Sequence, residues 1–286
     1  MRIVARLKNL EEMNKLINLG VDVFLVDTPL AVKRISLDIH KDISEIKRHG
    51  KVYLLMNKMI HEIDLPFLGK WLKIAKEQNV DGIVCGDLTV MVKAEEIGVL
   101  DKIIYQPGTM NTNSFDNEYF SRKHLKGITI SKEITLTEIL NIAKDKKTEL
   151  SLVGHGFIDM FYSKRKLITN YFKFKEEEKI DILDNYNFRL TEEKRPDSLY
   201  PILEDNGGTH IFRDKALESF AEVKELRPYL DDFFIERIFL YDDEYYDSIL
   251  SYKDEEKAKD FIAKYQEKYD KGFYYLYTEK LKGEER

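Results

Sequence analysis

Residues 151–169 read SLVGHGFIDMFYSKRKLIT. A β-rich run closes on Gly154-His155-Gly156, Tyr162-Ser163 follows, and the basic triplet Lys164-Arg165-Lys166 opens a helix-like stretch. Glycines at a strand end let the backbone turn tightly and approach a ligand. Polar and basic side chains just past a strand are where α/β enzymes carry chemistry. Working outward, the same rhythm repeats. Strands are predicted at Arg2–Leu7, Asp22–Asp27, Lys51–Asn57, Gly82–Asp87, Lys102–Gln106, Gly127–Ser131 and Glu149–Val153. The VFLV run inside the second is nearly all apolar, as expected for a strand covered on both faces. Helices are predicted at Leu10–Gly20, Leu68–Gln78, Thr89–Ile97, Asp116–His124 and Leu136–Lys144, the last opened by a Thr135/Glu138 capping box. Asp232–Leu240, DFFIERIFL, supplies an eighth strand.

This alternation implies a parallel sheet, and eight strands with one insertion fit an α/β (β/α)8 barrel of the TIM type. A doubly wound open sheet is the alternative. Residues 1–240 are assigned to the barrel, with a charged insertion at 172–212 before the last strand. That insertion contains the hairpin YPILEDNGGTHIFR, with Asn206-Gly207-Gly208 at its turn. Residues 241–286 are assigned to a C-terminal helix at Glu255–Tyr269 and an edge strand at Gly272–Thr278, packed on the barrel.

The chain has 286 residues, 43% of them hydrophobic, and a net charge of −6. That composition supports a packed core and excludes a broadly basic nucleic-acid binder; such a partner needs a local basic patch. No apolar run reaches the roughly 20 residues that span a bilayer. The N-terminus lacks the apolar segment of a signal peptide, so a cytoplasmic location with no membrane contact is expected. Cys85 is the one cysteine, so this chain alone cannot form an internal disulfide or a cysteine-ligated cluster.

In a barrel the strand ends converge, and here they carry Asp27, Asn57, Asp87, Gln106, Glu133, His155 and Glu236-Arg237. Asp27 and Asp87 also read as helix caps. Gln106 with Asn111 and Asn113 gives neutral donors and acceptors suited to amides, sugars or bases, although Pro, Gly and Asn also build turns. His61, Glu62 and Asp64 lack the second histidine of a zinc helix and read as a surface helix start. Tyr162, Lys164, Arg165, Lys166 and Tyr171 read either as a phosphate-holding run with stacking rings or as a helix start with snorkelling cations.

These residues resemble peptidase family U32, the collagenase-like protease family, over nearly the whole chain. Met56-Asn57 with His61, the DGIVCGD strand, Gln106 with Asn111 and Asn113, and Ser131-x-Glu133-x-x-Leu136-x-Glu138-Ile139 are each similar to family elements in the same order. So are His155-Gly156 followed by MFYSKRKLITNYF, and the 200–212 hairpin. The chain departs from the family signature at Ser151, where relatives carry glutamate, and at Lys164, where they carry glycine. It also has Asp159 and Lys166 where relatives carry cysteines that contribute to an iron–sulfur cluster. It therefore resembles the short, cysteine-poor branch related to bacterial tRNA uridine hydroxylation proteins, often encoded beside a larger, cysteine-bearing member.

The resemblance implies a role in tRNA wobble-uridine hydroxylation with that larger partner, tRNA being the candidate ligand and any cluster residing in the partner. The alternatives are collagenase-like hydrolysis of peptide bonds and a non-catalytic scaffold subunit. Asn57, Glu133 and His155 are the candidate catalytic residues. Gln106, Asn111, Asn113, Tyr162, Lys164, Arg165 and Lys166 are the candidate substrate-binding residues, and no metal ligands are nominated.

Overall fold

The computed structural model describes residues 1–36, 38–176 and 181–276. Among the described residues twelve strands form, β1 (Arg2–Arg6), β2 (Val23–Asp27), β3 (Lys51–Met56), β4 (Gly82–Cys85), β5 (Ile103–Tyr105), β6 (Gly127–Ile130), β7 (Glu149–Ser163), β8 (Arg189–Glu192), β9 (Arg195–Asp205), β10 (Gly208–Leu217), β11 (Asp232–Ile235) and β12 (Tyr269–Asp270). The helices are α1 (Met13–Asn18), α2 (Ile43–His49), α3 (Leu65–Glu77), α4 (Leu88–Ile97), α5 (Ser114–Ser121), α6 (Leu136–Lys144), α7 (Leu167–Phe174), α8 (Val223–Leu226), α9 (Asp242–Ser251) and α10 (Glu255–Tyr265). None of the described helices is long and apolar enough to cross a membrane.

Strands β1 to β7 pair in sequence order, all parallel, and β11 pairs with both β7 and β1. That double pairing closes an eight-stranded parallel barrel and excludes the open sheet. Strand residues alternate as a barrel requires. Val23, Leu25, Tyr53, Leu55, Val84, Ile104 and Phe234 pack with one another inside the ring. Phe24, Val26, Val52, Leu54 and Ile83 join the larger core beneath the helices. The interior is filled by side chains, so any site must sit at the rim.

A second, antiparallel layer rises from one side of this rim. Strand β7 runs on past the barrel to Ser163 and pairs antiparallel with β10, which pairs with β9 and through it β8. The layer therefore begins within β7 rather than at residue 172. Gly156 makes the bend with φ +105°, and a Cβ there would lie 2.7 Å from the Glu236 carbonyl oxygen. The β9–β10 hairpin turns through Asn206-Gly207 as its sequence predicts; Asp205 Oδ1 accepts from the N–H groups of Gly207 (2.7 Å) and Gly208 (3.1 Å).

The other departures are local. Strand β11 stops at Ile235, five residues short of the predicted end, and Phe239 beyond it has φ +63°. Helix α2 had no clear sequence signal. The helix predicted at Glu255–Tyr269 ends at Tyr265, and Tyr269–Asp270 forms the short β12 against β10. Where an edge strand is predicted at Gly272–Thr278, residues 272–275 form a turn, and Tyr277 and Thr278 lie outside the described residues.

Candidate functional site

The strand ends place a buried ion cluster beneath the rim. Arg6, only 1% exposed at the end of β1, donates from Nε to Asp27 Oδ1 (2.8 Å) and from Nη1 to Glu236 Oε1 (2.9 Å). Burial alone would lower the Arg6 pKa; Asp27 and Glu236 outweigh it, so the guanidinium stays charged. Asp27 also accepts from the backbone N–H groups of Ile35 (2.8 Å) and Ser36 (3.4 Å), so it anchors the β2 loop instead of capping a helix. Asp87 is a cap: its Oδ1 accepts from Thr89 N–H (2.8 Å) at the start of α4. His61 caps a short 3-10 turn with Asp64 ahead of α3, the surface helix start its sequence suggests.

A cavity of about 520 Å³ opens at the ends of β3 to β6, with the extension of β7 as one wall. Asn57, Gly86, Tyr105, Gln106, Thr129 and Lys132 line the barrel side; Lys33, Asp159, Phe161 and Tyr162 close the other. Asn57 Oδ1 accepts from Val32 N–H (3.0 Å) and Gln106 Nε2 donates to Thr129 Oγ1 (3.3 Å). That leaves an amide N–H on Asn57 and an amide oxygen on Gln106 uncommitted. A groove of about 600 Å³ between α3 and α4, lined by Lys70, Lys73, Glu77 and Lys93, lies on the outer helices away from the strand ends.

The far wall links the two layers through charged and stacked side chains. Lys33, with φ +54° in the loop after β2, forms an ion pair with Asp159 of β7. Burial works against the Asp159 anion, but Lys33, His210 and Lys132 prevail and hold its carboxyl below the usual range. His210 of β10 is fully buried, with Nδ1 3.6 Å from Asp159 and Nε2 3.5 Å from Asp205. Those distances are too long for strong hydrogen bonds, so the ring is positioned mainly by stacking on Tyr162, centroids 4.4 Å apart and 20° between planes. Tyr162 in turn donates to the Gly207 carbonyl (3.0 Å).

The predicted site residues divide. Asn57, Gln106 and Tyr162 line the cavity. Lys164 stands near it, its Nζ donating to the Met59 carbonyl (3.0 Å); burial and Lys58 hold its amine below the usual lysine range. Arg165 and Lys166 are exposed. Asn111 is buried at φ +68° and braces β6 by donating to the Thr129 carbonyl (3.0 Å). Asn113 caps α5, accepting from Phe115 N–H (3.0 Å) and Asp116 N–H (3.1 Å). Glu133 is half-buried outside the cavity lining, its carboxyl pushed up by burial.

His155 is not at the mouth. It lies among Phe220, Tyr252, Phe261 and Tyr269, fully buried, with Nδ1 3.1 Å from the Tyr252 hydroxyl and Nε2 without a partner. Burial pushes its pKa down to about 3, so it is a neutral packing residue at physiological pH. The register explains the position. Phe234 pairs with Val153 and Ile235 with His155, so Gly154 is the extra residue of a β-bulge. The bulge reverses which face the next side chain takes, and His155 turns away from the barrel axis. Lys33, Lys58, Asp87, Lys132 and Asp159 carry the charge of the cavity lining instead, and barrel closure brings them together.

The residues do not fit an iron–sulfur cluster. Cys85 is fully buried in the barrel wall, where burial raises its thiol pKa well above the ordinary value. At the two signature positions Asp159 is engaged by Lys33 and Lys166 is exposed. Among the described residues no three His, Cys, Asp or Glu side chains stand close enough to hold a metal ion.

Comparison with known proteins places this architecture in a family. The chain is 30% identical over 218 residues to the tRNA hydroxylation protein P2 of Bacillus subtilis (strain 168), covering 74% of this chain and 71% of that one. It is 28% identical over 251 residues to an uncharacterized protease of Methanocaldococcus jannaschii, covering 79% of this chain but 59% of that protein, so it spans less than two thirds of that relative. Among solved structures it is similar to phosphoribosylanthranilate isomerase from Thermotoga maritima, with a TM-score of 0.46 and 14% identity over 91% of this chain and 99% of that one. The sequence profile of peptidase family U32 matches residues 8–280, and the chain belongs to that family.

Proposed function

We propose that this protein acts in hydroxylation of tRNA at the wobble uridine, beside a larger family member whose cysteines hold the iron–sulfur cluster. The observation that carries the reading is the pair of uncommitted amide groups on Asn57 and Gln106 in a cavity of about 520 Å³. The uracil edge presents an N–H between two carbonyls. A free amide oxygen on Gln106 matches that N–H, and a free amide N–H on Asn57 matches a carbonyl. Tyr105 and Phe161 supply apolar walls, as small-ligand sites usually have. The similarity to tRNA hydroxylation protein P2 supports the same substrate class.

In this reading the chain's own residues bind and orient. Asn57 and Gln106 hold the base edge, and Lys164, Arg165 and Lys166 meet phosphate at the rim. Ile63, Leu88 and Phe115, 87%, 55% and 77% exposed, sit in the first turns after β3, β4 and β5 and suit a docked macromolecule at this end of the barrel. Self-sufficient peptide hydrolysis lacks such support: the single thiol is buried, and Thr129 in the cavity lining is paired with Gln106 rather than with a base.

The test is complementation. Cells lacking this chain receive the wild type or the Asn57→Ala/Gln106→Ala variant, and hydroxylated uridine is quantified in their tRNA. The wild type is expected to support the modification and the variant to lose most of it while remaining folded. Full modification by the variant would reject the site and favour a scaffold role.

A further inference from the structure

One group in the cavity is not used by the reading above. Lys132 follows the end of β6 and lines the cavity with Gln106, Thr129 and Asp159. Among the described residues its amine makes no hydrogen bond and no ion pair. The other two lysines of the lining are committed, Lys33 to Asp159 and Lys58 to Asp64 at 2.6 Å. An enclosed lysine without a counter-ion gives up its proton more readily than an exposed one. Burial lowers its pKa below the usual lysine range; Asp159, Glu133 and Glu236 oppose that shift and Lys33 reinforces it.

We propose that Lys132 is a carbonyl-trapping nucleophile, its free amine condensing in the cavity with the aldehyde or ketone group of a small ligand. This goes beyond the tRNA reading and does not depend on it. The Nζ lone pair forms the C–N bond as the C=O π pair moves to oxygen. A proton leaves nitrogen and one is gained by oxygen, giving a carbinolamine. Loss of the second nitrogen proton together with the hydroxyl, as water, leaves a C=N bond, with no net oxidation or reduction. The geometry suits the step: Lys132 lines the cavity, and the nearby acid Asp159 is already held by Lys33, so it does not pin the amine as a salt bridge.

The experiment uses the full chain with pyruvate as probe and sodium cyanoborohydride as trap, at pH 6.5, read by site-resolved peptide mass spectrometry. Exposed lysines are almost wholly protonated there. Lys132 is expected to be modified faster than any of them, by about tenfold for each pKa unit that burial lowers it. The Lys132→Arg variant keeps the stem and a charge but forms no imine; it should lose the fast modification and leave the other lysines unchanged. Wild-type Lys132 modified no faster than exposed lysines would overturn the proposal. So would fast labelling that persists elsewhere in the variant.

Discussion

The neutral His155 makes a quantitative prediction about acid stability. In the unfolded chain its pKa is near 6.5, and in the folded protein burial lowers it to about 3. The sign follows from linkage. Above pH 6.5 both states are neutral and the full stability is present; as pH falls toward 3 the unfolded state takes up a proton that the native state cannot. From pH 7 to pH 5 this one group removes about 2 kcal/mol, and about 5 kcal/mol once both states are protonated. His155→Leu removes the titration at small structural cost. Nε2 has no partner to lose, and the Tyr252 hydroxyl keeps its bonds to the Gly154 carbonyl (3.1 Å) and Ser219 N–H (3.1 Å). Urea unfolding of both proteins at pH 7 and pH 5 reads the difference, in which the remaining titrating groups cancel. The variant is expected to lose about 2 kcal/mol less than the wild type over that interval. Equal losses in the two proteins would mean that His155 is accessible or protonated, and the aromatic enclosure would be wrong.

Two further outcomes follow from the charge arrangement. Arg6→Met strands Asp27 in the barrel without its cation and should cost about 3–5 kcal/mol by chemical denaturation, with part of that recovered in Arg6→Met/Asp27→Asn, because an unpaired buried charge is worse than none. Alanine at exposed Arg165 and Lys166 should weaken tRNA binding and reduce the slope of log affinity against log salt by about 0.7–0.9 per lost phosphate contact, whereas Lys164→Ala, already tied to the Met59 carbonyl, should change it less; unchanged slopes would leave the triplet as a solvated helix start.

The barrel is legible in the sequence because its signals are local. The VFLV run of β2, the capping box at Thr135 and Glu138, and the Asn-Gly turn of the hairpin each depend on a few adjacent residues. The site is less legible because its parts meet only on closure. Gln106 and Asn57 follow strand ends, and both line the cavity. Asn113 also follows one and is a cap, since a side chain that satisfies its own backbone resembles one placed for a ligand. His155 follows a strand end too, but one bulged residue, which strand periodicity does not register, turns it away from the barrel axis. Lys33 and Lys132, 99 positions apart in sequence, carry no shared pattern, and only the three-dimensional ring makes them neighbours of Asp159.

The measurement that bears most directly on the proposed role is quantification of hydroxylated uridine in tRNA from cells with and without this chain, by liquid chromatography and mass spectrometry of the nucleosides. The account predicts that deletion removes most of the modification and that the wild-type chain restores it. Unchanged hydroxyuridine in the deletion strain, with every parallel route to the modification disabled, would contradict it.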